Sequence, residues 1–160
     1  MAVGLRQLVL APKSDITLGR WHSGKVPKAD FPMAKQAYGL GNSFRWSVIA
    51  FKTLGLECRA LVVFNLGKQK FEAILGVMGG AVLRILCSYE YHASEPGWHC
   101  HATCDDVPKV PIGYMRGQWV NRRPAAKKTH RRQNFMIDSE TTALRFAMKC
   151  YKIEPRGPLL

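Results

Sequence analysis

AVLRILCSYEYHASEPGWHCHATC, residues 81–104, is the stretch on which the fold turns. Its first part, Ala81 to Tyr91, is dominated by β-branched, aromatic and aliphatic residues. Ser94-Glu95-Pro96-Gly97 then supplies turn chemistry before a second extended run, Trp98 to Cys104. The pattern predicts a β-hairpin. In a register that sets His92 opposite His99, Glu90 stands opposite His101, and the two-residue period of a strand turns all four side chains to one face. A slip of one residue scatters them, and a loop of six residues does not by itself enforce the register.

On the N-terminal side of the hairpin, Phe71, Ile74, Leu75 and Met78 follow the helical period and Gly79-Gly80 ends the run. A helix is expected there, with a strand as the alternative for so short a segment. Arg59 to Phe64, with paired valines bounded by Asn65 and Gly67, reads as a buried strand. Ser43 is placed to cap a helix over Phe44 to Leu54, where Phe44, Val48 and Phe51 recur near helical spacing and Gly55 stands as a stop. Residues 1–40, interrupted by Pro12, Pro27 and Pro32, read as an N-terminal arm with one short strand.

On the C-terminal side, Val107 to Ile137 contains no carboxylate. It carries Lys109, Arg116, Arg122, Arg123, Lys127, Lys128, Arg131 and Arg132, with Tyr114, Trp119 and His130 among them. This is a basic arm, followed by a helix capped by Asp138 or Ser139 whose apolar stripe is Leu144, Ala147, Met148 and Tyr151. Residues 153–160 form a tail. The element order predicts one α+β domain over 41–152, a mainly antiparallel sheet with helices packed against it.

With 160 residues the chain is long enough to bury a hydrophobic core without a covalent staple. Its 24 Lys and Arg against 11 Asp and Glu leave a formal charge of +13, so a polyanion is the natural partner. Nucleic acid comes first and an anionic membrane second. The longest apolar stretch, Ala73 to Leu83, is shorter than a bilayer span and is broken by Gly76, Gly79 and Gly80. The N-terminus lacks the apolar run of a secretory signal, and five cysteines, an odd number, fit a reducing compartment. A cytoplasmic location is expected.

Two imidazoles two apart on a strand can reach one divalent ion, and a carboxylate opposite adds an oxygen ligand. Glu90, His92, His99 and His101 are therefore the candidate metal ligands, for Mn²⁺, Mg²⁺ or Zn²⁺. An open coordination position there suits polarisation of a phosphodiester. A structural zinc remains an alternative: in the same register Cys87 faces Cys104, with Cys100 nearby. The basic residues offer phosphate contacts, and Trp119 or Tyr114 offers stacking, which suits single-stranded nucleic acid. Trp98 either stacks a base beside the metal or covers a sheet face.

The run Glu90-Tyr91-His92, a Gly-containing turn and His99-Cys100-His101-Ala102 resembles the metal-binding hairpin of HUH-superfamily endonucleases, especially rolling-circle replication initiators of phages and plasmids. The resemblance implies that His99 and His101 are ligands, with Glu90 the third. It also implies a central antiparallel sheet with the histidine strand inside and a helix alongside bearing a tyrosine nucleophile. Here the aligned stretch reads Phe146-Ala-Met-Lys149-Cys150-Tyr151, which leaves Tyr151, beside Lys149, as the nucleophile or else as a core residue. The expectation is metal-dependent binding and nicking of single-stranded DNA. Its alternatives are a non-catalytic module that binds nucleic acid or a nucleoprotein complex, and a protein–protein adaptor.

Overall fold

Strands that are buried on both faces lose the alternation that identifies a strand in a sequence, and that is the situation at the centre of this protein. The computed structural model describes residues 2–33, 40–93, 95–103, 106–113, 120–123 and 134–154, with backbone alone at 95, 96 and 120–123. The elements in chain order are α1 (Leu5–Leu10), β1 (Ser14–Leu18), β2 (His22–Ser23), β3 (Arg45–Thr53), β4 (Leu56–Asn65) and β5 (Lys70–Gly79). They continue with β6 (Val82–His92), β7 (Glu95–Thr103), the short 3₁₀ turn Val107–Lys109, β8 (Val120–Arg123) and α2 (Glu140–Tyr151). All described strands join one sheet in the order β1-β3-β4-β5-β6-β7-β8, with β2 pairing beside β1 on the same edge of β3, and every pairing is antiparallel. This is the predicted α+β architecture. The segment 1–40 is more than an arm with one short strand: it provides α1 and two strands that cover the β3 edge.

Two of the predicted helices are strands. Phe44, Val48 and Phe51 mimic a helical stripe, but Phe44 and Val48 pack on one side of the sheet and Phe51 on the other. The expected helix over 44–54 is thus β3, and its supposed stop is a two-residue hairpin turn in which Leu54 and Gly55 both take positive φ, 51° and 74°. That geometry matches the right-handed twist of the flanking strands. The helix expected over 71–78 is β5 for the same reason: Phe71 and Leu75 belong to one core cluster, Ile74 and Met78 to the other. Gly80, at φ 79°, turns β5 into β6.

One face is covered by helices. Leu8 of α1 and Ala143, Ala147 and Tyr151 of α2 are buried against Ile49, Phe51, Val62, Phe71, Leu75 and Tyr91. α2 starts as expected, with Ser139 Oγ accepting from the Thr142 amide at 3.2 Å, and Glu140 pairs with Arg45 of β3. The other face has a smaller apolar cluster of Trp46, Leu61, Val63, Ile74, Leu83 and Ile85, covered by Val26 and Phe31. Among the described residues, no helix is long and apolar enough to cross a membrane.

Candidate metal centre

The hairpin β6–β7 forms over the predicted residues with a different register. Glu90 pairs with His99, Ser88 with His101 and Tyr91 with Trp98, after which a bulge brings His92 opposite Glu95. The expected pairs, His92 with His99 and Glu90 with His101, are therefore displaced by two residues, because β7 begins at Glu95 and the loop is shorter than the six residues read from the sequence. An even displacement preserves facing. Tyr89, Tyr91, Trp98 and Cys100 lie with the helix-side core, and Ser88, Glu90, His92, His99 and His101 alternate to the opposite face.

Glu90 is the hub of that face. Its Oε2 lies 2.8 Å from His92 Nε2, 3.4 Å from His99 Nε2 and 3.5 Å from His101 Nε2, and its Oε1 accepts from Ser88 Oγ at 2.9 Å. The carboxylate is only 1 % exposed and His99 only 4 %. Burial alone pushes the Glu90 carboxyl up, but hydrogen bonds from His92, His99 and Ser88 outweigh it and hold the group well below the usual carboxylate range. His92 moves the other way, raised chiefly by its hydrogen bond to Glu90. His99 Nδ1 is 3.4 Å from the Gly97 carbonyl; with the ring proton moved to Nδ1, Nε2 gives up its hydrogen bond to Glu90 and becomes the ligating nitrogen.

Glu90, His99 and His101 present three donor atoms, all within 4.8 Å of one another. In a tetrahedral site with bonds of about 2.1 Å, neighbouring donors stand about 3.4 Å apart, which agrees with the 3.4 and 3.5 Å from Glu90 to the two imidazoles. This buried Glu/His cluster can hold a metal ion. His92 lies outside that group and is hydrogen-bonded to Glu90 through Nε2 at 2.8 Å. It belongs instead with Glu90 and Glu72 in a second donor group. Glu72, opposite Glu90 across β5–β6, was missed in the sequence because its strand was read as a helix. The available signal was a single acid among apolar neighbours, Phe71-Glu72-Ala73-Ile74.

Tyr151 and Lys149 are not part of this site. Tyr151 is 1 % exposed on the helix-covered face, and its hydroxyl donates to the Ala73 carbonyl. Burial raises the phenol far above its ordinary value. The sheet itself separates it from Glu90, so it lacks both approach and ionisation as a nucleophile. Lys149 is exposed on α2, and Phe146 packs on Trp98 with ring centroids 4.4 Å apart. Trp98 thus covers the sheet face opposite the histidines.

The thiol alternative also rearranges. Cys87 pairs with Ala102 rather than Cys104, which lies outside the described residues together with Arg116, Trp119, Lys127, Lys128, Arg131 and Arg132. Cys87, Cys100 and Cys150 sit on the helix side, and among the described residues the donor groups able to hold an ion contain no cysteine. Arg122 and Arg123 lie in β8, paired with His101 and Cys100 in the backbone register. Lys109 is exposed and 3.8 Å from Asp106. No protein-family model, no curated protein and no solved structure matches this chain.

Proposed function

We propose that the chain is a divalent-metal-dependent nucleic-acid-binding protein that cleaves phosphodiesters in single-stranded DNA without a covalent tyrosine intermediate. The observation that carries this reading is the convergence of Glu90, His99 and His101 on one buried point. Two imidazoles and one carboxylate favour Mn²⁺ or Zn²⁺ over Mg²⁺, which prefers an all-oxygen, largely hydrated shell. An ion held there supplies Lewis-acid polarisation of a phosphoryl oxygen. Ser88 fixes one oxygen of Glu90 and leaves the other aimed at the imidazoles. The net charge of +13 draws the polyanion to the surface. The likeness to HUH endonucleases accordingly narrows to the hairpin, with water in place of tyrosine as the attacking group.

Incubation of the purified chain with end-labelled single-stranded DNA tests this directly. Mn²⁺ should support cleavage, EDTA should abolish it, and no protein–DNA adduct should form. His99→Ala and His101→Ala should stop cutting while retaining most binding. Intact DNA in every metal, with binding preserved, would remove the enzymatic claim. It would favour a second reading, a structural ion in a non-catalytic binding module, for which the near-complete burial of Glu90 and His99 is the supporting observation. In that case chelation lowers the melting temperature and leaves no activity to lose.

A further inference from the structure

Glu72 stands on β5 and His99 and His101 on β7, the two strands that flank β6, so Glu90 lies between donors arriving from both sides. Two triads result, Glu90–His99–His101 and Glu72–Glu90–His92, each with its donor atoms within 4.8 Å and each including Glu90. They differ in access. The first is the more closed of the two, with His99 and Glu90 at 4 % and 1 % exposure and His101 half-buried. In the second, Glu72 and His92 are half-buried. Glu72 also lines a cavity of about 190 Å³ with Phe44, Val63 and Lys70.

We propose that this face holds two divalent cations bridged by Glu90, a buried one on His99 and His101 and an exchangeable one on Glu72 and His92. The proposal rests on the reading of the Glu90–His99–His101 cluster as a cation centre and deepens it. Two carboxylates directly opposite each other on neighbouring strands repel, and a cation between Glu72 and Glu90 turns that pair into a binding element. Carboxylate-bridged ions about 3.5–4 Å apart form a clamp suited to the attacking and leaving oxygens of a phosphodiester. The cavity beside Glu72, which Lys70 also lines, leaves that carboxylate open to solvent-borne cations.

The test is titration of the metal-free full-length chain with Mn²⁺, followed by calorimetry and electron paramagnetic resonance. Two ions per chain are expected, with the resonance attenuated by coupling between neighbouring spins. Glu72→Gln, at a half-buried position and nearly isosteric, should bind one ion and restore the spectrum of isolated Mn²⁺, with circular dichroism verifying the fold. One ion per wild-type chain, or two ions retained by Glu72→Gln, overturns the proposal and leaves the single centre standing. No ion bound by the wild type overturns both.

Discussion

Strand β6 sends Cys87, Tyr89 and Tyr91 to the helix-covered face and Ser88, Glu90 and His92 to the other, and the two sets meet their polar needs differently. On the helix side the Tyr151 hydroxyl is satisfied by backbone, reaching the carbonyls of Ala73 and Cys87. The thiols there behave as small hydrophobes, with burial pushing Cys58 and Cys150 up to about 12. On the other side three imidazoles and a hydroxyl surround one carboxylate. Such a network is costly to assemble unless every member is paired. A fold that needs only stability gains little from one, whereas a cation site needs such donors desolvated and held. The helix-covered face is built for burial, and the opposite face carries a donor cluster that could hold a cation.

The sharpest way to break that division is Tyr151→Ala. Removing a fully buried aromatic should cost about 3–5 kcal/mol of stability in urea unfolding, yet leave the ion stoichiometry of the folded fraction unchanged. A lost ion would tie the faces together.

Glu90→Gln, on the opposite face, should weaken Mn²⁺ binding by about 100-fold or more, roughly 2.7 kcal/mol, as read by calorimetry. An unchanged affinity would move the centre elsewhere.

Alkaline pH sharpens the picture of the dry face. Cys58 has a folded pKa raised to about 12, so its unfolded form ionises first. Its contribution is complete below about pH 8.5 and is lost as pH rises toward the folded value. Between pH 8 and 9.5 this thiol should account for about 1 kcal/mol of lost stability. That share should vanish in Cys58→Ala once the pH-independent cost of the cavity is subtracted.

The smallest effect belongs to Lys149→Ala. It is exposed on α2 and remote from Glu90, so it should change stability by less than about 0.5 kcal/mol and leave metal binding untouched. A large loss of cleavage in this variant would revive the tyrosine-helix mechanism.

Much of the candidate metal face was legible in the chain. The alternation Glu90-Tyr91-His92 and His99-Cys100-His101 fixes which side chains share a side, and parity survives a register error of two. The Ser139 cap and the buried run inside β4 were legible too, since both are written within a few residues. β3 and β5 were not. Apolar residues on both of their faces erase the two-residue period, and what remains, such as Phe71, Ile74, Leu75 and Met78, imitates a helix.

The amino-acid order alone determined that two extended runs near residue 90 carry metal-competent side chains in phase, because strand periodicity is a local property of the backbone. Only the tertiary structure decided that β5 lies beside β6 and adds Glu72 to the cluster, and that α2 docks on the far side, where Tyr151 becomes core. Strand neighbours and the side on which a helix packs are settled by long-range burial of whole faces, a quantity that no short window of sequence contains.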